Sequence, residues 1–144
     1  MLTTSLLTMM ELQQVMAFES SLTDGEICLK SDYDDIRNGI IGGCSFGVFD
    51  NDKLVAYTIA VWNEYGVGYI DKCFVSEEYR GKGLQRLMLT RSMEALLKKN
   101  VHEVFAMCSP KNTVSLRNFM TQRFSVVRNI EYEGRERLLL KFYI

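Results

Sequence analysis

Apolar residues fall into two rhythms along this chain. Met9, Leu12, Val15 and Met16 recur at helical spacing behind Thr8-Met9-Met10-Glu11, a T-x-x-E capping box, and predict a helix over about residues 9–20. Ser31, with Asp34 three residues on, predicts a second helix over about 32–38, ended by Gly39 or by the Gly42-Gly43 pair. The rhythm then changes. Residues 44–49 and 53–62 read as two strands of a hairpin around the turn residues Asp50-Asn51-Asp52. A looser connection over 63–68 leads to a third strand at 69–75. Leu84, Leu87, Met88, Ala95 and Leu96 return to helical spacing and predict a helix over about 83–99. Lys98 and Lys99 suit its negative C-terminal end, and Asn100 suits the residue just past it. Residues 101–108 form a fourth strand, which Pro110 breaks. Asn112 or Thr113 caps a helix that runs to about Arg123. Residues 124–132 and 136–143 make a last hairpin, turned at Glu133-Gly134.

The order is α-α-β-β-β-α-β-α-β-β. Three antiparallel strands precede a βαβ unit, so the sheet is mixed and the class is α/β (α+β). A doubly wound dinucleotide fold would need G-x-G-x-x-G after its first strand, within repeated βαβ units, and this chain lacks that arrangement. The P-loop pattern G-x-x-x-x-G-K-[ST] is absent too. At 144 residues, with one proline and no Ser/Gly-rich run, residues 1–144 read as a single domain.

Composition narrows the partners. The apolar runs are too short to span a bilayer, and no Lys or Arg precedes Lys30, so neither a membrane segment nor a signal peptide is expected. Cys28, Cys44, Cys73 and Cys108 are scattered without a C-x-x-C pair and read as free thiols of a reducing, cytoplasmic compartment. His102 is the only histidine, and no metal site is expected. A net charge of −1 argues against nucleic acid. The charge is uneven, however. Residues 1–40 carry a net −5 and residues 76–144 a net +6. Solvated helix faces account for this, as does an anionic ligand held by the C-terminal half with a cationic one met by the N-terminal part.

The chemistry points to the stretch from Val75 to Leu89. An apolar strand runs through a polar turn into Arg80-Gly81-Lys82-Gly83, which opens the amphipathic helix. Such a bend turns backbone N–H groups toward one point beside the positive end of a helix dipole, which is a site for phosphate oxygens. Glycine there lets a ligand approach the backbone, and Arg80 and Lys82 add charge.

Arg80-Gly81-Lys82-Gly83-Leu84-Gln85 resembles the R/Q-x-x-G-x-G/A element of the GCN5-related N-acetyltransferases (GNAT superfamily). The preceding stretch, Phe74 through Tyr79, resembles that family's strand end and turn. Downstream, Asn112, Ser115 and Phe124 fall on its N-x-x-A-x-x-x-Y-x-x-x-G-F segment. The element order agrees over nearly the whole chain. The resemblance implies a mixed, mostly antiparallel sheet of about six to seven strands flanked by four helices. It also implies an acyl-CoA donor, most often acetyl-CoA. The pyrophosphate would lie on the backbone N–H groups of Arg80, Gly81, Lys82, Gly83, Leu84 and Gln85. Pantetheine would pair with the backbone of Phe74 and Val75, where the third and fourth strands splay apart, and Asn112 would bond the pantetheine arm. Three positions depart from the pattern: Gln85 stands for the last Gly/Ala, Phe119 for the tyrosine that often protonates the thiolate, and Arg123 for the glycine.

Acyl transfer needs a neutral amine, a thioester held close and a stabilised oxyanion. The resemblance assigns the last to one backbone N–H, at Val75 or its neighbour. Asp71, the only acid on the third strand, shares a face with Tyr69, Cys73 and Val75 by simple alternation. It is a candidate base, with Glu64 in the preceding loop as a second. Tyr79, Cys108 and Ser109 are candidate acids in place of Phe119. The expected activity is acetyl transfer from acetyl-CoA to a primary amine, a cationic small molecule or a protein amine, by direct attack in a ternary complex. A non-catalytic acyl-CoA-binding sensor or interaction module is the alternative. The family resemblance leaves monomer and homodimer open.

Overall fold

In the computed structural model, which describes residues 1–21 and 33–143, the predicted rhythm becomes eleven regular elements. In chain order they are β1 (Leu2–Leu6), α1 (Leu12–Ser21), α2 (Tyr33–Ile41), β2 (Phe46–Asp50), β3 (Lys53–Trp62), β4 (Val67–Val75), α3 (Leu84–Lys98), β5 (Glu103–Cys108), α4 (Thr113–Thr121), β6 (Ser125–Tyr132) and β7 (Arg135–Tyr143). One-turn 3₁₀ segments at Met9–Glu11 and Glu77–Tyr79 lead toward α1 and α3. The expected helix cap at Ser31 and helix start at Asp32 lie outside the described residues, as does Cys28.

The strands form one sheet in the order β1-β2-β3-β4-β5-β7-β6. All neighbours are antiparallel except β4 and β5, which α3 connects in parallel. β1 is the one described element that the apolar pattern misses. Leu2-Thr3-Thr4-Ser5-Leu6 buries no face and is held as an edge strand by antiparallel pairing with β2. One face of the sheet packs Ile70, Val104, Ala106 and Leu140 against Leu89, Met93 and Leu96 of α3 and Phe119 of α4. The other packs Leu54, Tyr57 and Ile59 under Leu12 and Val15 of α1 and Ile36 and Ile40 of α2.

Local chemistry sets the ends of the elements. Thr8 and Glu11 form the expected capping box, with the Glu11 carboxylate accepting from the Thr8 N–H at 2.8 Å. Both α3 and α4 end in Schellman turns. Asn100 adopts φ 61° after α3, and Arg123 adopts φ 69° after α4. In the second, the Phe124 N–H reaches the Phe119 carbonyl at 3.2 Å, and the two rings meet edge to face at 5.1 Å. Glu133 and Gly134 both take positive φ, as a two-residue hairpin turn requires.

Candidate active site

The parallel pairing of β4 with β5 runs from Val67↔Glu103 to Ile70↔Ala106 and stops. Both strands continue, β4 to Val75 and β5 to Cys108, so they part beyond that point. The splay starts at Asp71 on β4 and at Met107 on β5. Asp71 is the first residue past the last pair and sits at the apex of the gap.

The register also turns here. β3 pairs Ile59 with Lys72 and Ala60 with Ile70, which leaves Asp71 as an extra, bulged residue. A bulge breaks period-2 alternation. Cys73 and Val75 therefore pack toward α3, while Lys72 and Phe74 turn toward α1. The expectation that Tyr69, Asp71, Cys73 and Val75 share one face is corrected accordingly.

Ladder geometry decides which backbone groups face the gap. The Ser76 N–H bonds the Val55 carbonyl at 2.9 Å, so Val55 and Ser76 are a hydrogen-bonded pair. Alternation along an antiparallel ladder then makes Tyr57 and Phe74 the next such pair. The backbone of Phe74 is thus directed at β3, which corrects its expected pairing with pantetheine. Its ring packs between Phe18 and Tyr57, at 5.3 and 5.4 Å. Cys73 and Val75 are the residues whose N–H groups point into the gap. The Val75 carbonyl is taken by the Arg80 side chain, whose Nε donates to it at 3.1 Å. Arg80 therefore ties down the strand end. Its own N–H donates to Glu77 at 3.3 Å, so it leaves the expected set of phosphate donors.

The other members of that set are open. Gly81 and Gly83 take φ of 78° and 76°, in the left-handed region that glycine enters freely. No heavy atom lies within 4 Å of a Cβ built on either. No side chain caps α3, and the first bond of the helix runs from the Leu87 N–H to the Gly83 carbonyl at 3.1 Å. Among the described residues, the N–H groups of Gly81, Lys82, Gly83, Leu84 and Gln85 have no backbone acceptor. Leu84 anchors the turn by burying its side chain against Val48, Val55 and Met88.

The motif departures interlock. The Gln85 side chain turns inward to α4, donating to Ser115 Oγ at 2.9 Å and accepting from Asn118 at 3.1 Å. A larger residue on α3 thus pairs with a hydroxyl on α4 and fixes the first turns of the two helices together. Asn112 uses its Oδ1 to cap α4 at the Ser115 N–H, 3.1 Å away. Phe119 is 4% exposed and belongs to the core beneath the Schellman turn.

Asp71 is half-buried and lies close enough to Tyr69 to matter electrostatically. Burial pushes the Tyr69 phenol well above its ordinary range, and Asp71, Tyr132 and Asp35 push the same way. Beside them, the buried Glu19 of α1 accepts the Tyr57 hydroxyl at 2.5 Å and lies 3.8 Å from Lys72 Nζ. Glu64 is elsewhere. It is exposed in the turn before β4, and Val67 to Asp71, at the apex of the gap, spans about 13 Å of strand. Of the two candidate bases, Asp71 is the one at the apex of the gap.

The candidate acids are engaged. Tyr79 donates to Asp50 at 2.6 Å, which holds its phenol up and the Asp50 carboxyl down. Burial raises the Cys108 thiol, and Ser109 accepts from the Lys111 N–H at 3.2 Å. Among the described residues, no group of three His, Cys, Asp or Glu side chains is placed to hold a metal ion. No helix is long and apolar enough to cross a membrane.

A family model described as acetyltransferase (GNAT) family matches residues 7–124. The chain belongs to the GNAT acetyltransferase family. Its seven-stranded mixed sheet with four helices is the GNAT fold, shared with solved structures at low identity. Arabidopsis thaliana Naa50, in complex with the bisubstrate analogue CoA-Ac-MVNAL, superposes with TM-score 0.83 at 17% identity, over 99% of each chain. The structure of yncA from Salmonella typhimurium with its cofactor acetyl-CoA gives 0.81 at 14% identity, over 99% of this chain and 94% of that one. The ribosomal-protein-S18-alanine N-acetyltransferase of Escherichia coli gives 0.77 at 17%, over 100% and 94%. No curated protein matches the sequence. Two features of this GNAT chain's candidate site were not legible from motif spacing, the bulge at Asp71 and the gap-facing Cys73 N–H, and neither was the buried Arg137 beside the end of β5. In sequence Arg137 stands beside the apolar run Leu138-Leu139-Leu140, and only the pairing of β7 on both sides encloses it.

Proposed function

We propose that this protein transfers an acetyl group from acetyl-CoA to a primary amine by direct attack in a ternary complex. The observation that carries the reading is the gap between β4 and β5, with the open helix terminus at Gly81–Gln85 beside its mouth. The N–H groups from Gly81 to Gln85 receive the pyrophosphate, and Lys82 adds charge. The Val75 N–H pairs the pantetheine arm, with Asn112 Nδ2 and the first turn of α4 at Ser115 alongside. One pleat deeper, the Cys73 N–H meets the thioester oxygen. That moves the oxyanion role from Val75 to Cys73, two residues back along β4, because Cys73 lies nearer the apex at Asp71. The Asp71 carboxylate takes a proton from the amine, directly or through one water. The amine nitrogen then bonds the acyl carbon, the C–S bond breaks, and the thiolate leaves with its electron pair and is protonated from solvent.

Naa50 bound to a CoA–peptide analogue and the S18-alanine acetyltransferase make peptide N-termini the first acceptors to test. Thiol release from acetyl-CoA is expected to rise with at least one amine in a panel of peptides and small amines, and silence across the panel refutes the catalytic reading. Phe119 supports the second reading, a non-catalytic acyl-CoA-binding module, since no tyrosine stands there. Its burial beneath the α4 turn gives the ring a packing role of its own. Turnover in the unmodified protein decides for catalysis, while CoA binding without transfer in both it and Phe119→Tyr decides for the module.

A further inference from the structure

Beyond the end of β5 lies a pocket of about 540 Å³ that the acetyl-transfer reading leaves without a role. Its walls are the Ser109–Lys111 loop before α4 and the tip of the β6–β7 hairpin, with Glu133, Arg135 and Arg137 among the lining residues. Arg137 is 2% exposed. Its Nη1 donates to the Glu136 backbone carbonyl at 3.0 Å, and its Nη2 has no hydrogen-bond partner. Among the described residues no carboxylate lies within ion-pair distance of it. A buried guanidinium without an anion is a costly arrangement, and buried polar groups are otherwise almost always satisfied.

The pocket stands next to the gap. Cys108 pairs with Leu138, so Arg137 falls opposite Ser109, just past the open end of β5. Leu138, Leu140 and Phe142 pack toward α3 and α4, so alternation directs Arg137 to the opposite face of the sheet, where α1 and α2 lie. On the acetyl-transfer reading CoA is held on the side of α3 and α4, which leaves that opposite face for the amine.

We propose that this pocket is an anion subsite in which Arg137 binds a carboxylate carried by the amine acceptor. The inference rests on the acetyl-transfer reading for the word acceptor, but not for the binding itself. A carboxylate accepts the free Nη2–H and neutralises the buried charge. A carboxamide at the same position supplies an oxygen without charge and binds more weakly.

The test uses amines matched in all but that group: glycine with glycinamide, L-glutamate with L-glutamine, and Ala-Glu with Ala-Gln peptides. The amino acids probe a small-molecule source and the peptides a protein one. Binding is read by calorimetry on the full chain saturated with CoA, and kcat/KM is read separately. At least one carboxylate member is expected to bind about tenfold or more tightly than its amide partner. Arg137→Met should abolish the difference, Arg137→Lys should restore part of it, and Arg137→Met should leave the free protein at least as thermally stable as before. No preference in any pair, or a preference that survives Arg137→Met, overturns the proposal. So does an equal loss of CoA affinity in Arg137→Met, which would assign the pocket to the donor. A carboxylate preference in binding without turnover would sustain the subsite while refuting the catalytic reading.

Discussion

Gly83 offers the sharpest test of the donor site, because its two possible reasons for being glycine give different outcomes. It caps α3 with φ 76° and ψ 16°. Alanine there pays the left-handed backbone cost, about 1 kcal/mol. It pays no packing cost, since nothing lies within 4 Å of the added Cβ. A domain stable by about 5 kcal/mol stays more than about 99% folded after that loss, so unfolding cannot account for weaker binding. On the proposed donor site, the same methyl stands in the way of a phosphate approaching the Gly83 and Leu84 N–H groups. Losing one charge-assisted hydrogen bond costs about 1.5–3 kcal/mol, roughly tenfold to a hundredfold in Kd. Urea unfolding measures the first effect and calorimetric titration with CoA the second. Gly83→Asn separates them: asparagine enters the left-handed region readily and recovers stability, but it keeps the Cβ and should still bind CoA weakly. Wild-type CoA affinity in Gly83→Ala, or affinity recovered in Gly83→Asn, would refute phosphate binding at this turn.

Further outcomes follow from the same geometry. Asp71→Asn should lower kcat by about a hundredfold or more with CoA affinity unchanged, whereas Glu64→Gln should stay within about twofold of wild type in steady-state kinetics; equal effects would remove Asp71 as the base. Arg123→Gly should raise stability by about 1 kcal/mol in urea unfolding, because Arg123 holds φ 69° in the α4 turn. Burial pushes the Cys73 thiol up to about 12 from 9.0, against the opposing Thr58 hydrogen bond. A folded pKa above the unfolded one gives a stabilisation complete below pH 9 and lost as pH rises from 9 toward 12. The urea midpoint should therefore fall between pH 8 and pH 10, and Cys73→Ser should flatten part of that fall.

Local chemistry in the chain was enough to determine most of the elements. The capping box at Thr8, the left-handed Asn100, the Glu133-Gly134 turn and the amphipathic spacing of α3 each act within a few residues, so they are readable in one dimension. The Gly81 and Gly83 bend and the Asn112 cap were legible for the same reason. Tertiary structure decided what depends on pairing. β1 exists because β2 offers it an edge, not because Leu2–Leu6 has an apolar face. The bulge at Asp71 is a mismatch between two strands, and it alone reverses the faces of Cys73, Phe74 and Val75. Which N–H groups enter the gap follows from the β3–β4 register, and the distance of Glu64 from the gap follows from the length of β4. Gln85 and Ser115 are separate departures in sequence and become one hydrogen bond only when α3 and α4 pack. Arg137 reads as one more surface charge until the strand beside it and the hairpin tip close over it. Spacing along the chain therefore located the glycine turn, and the pairing between strands decided what faces the gap beside it.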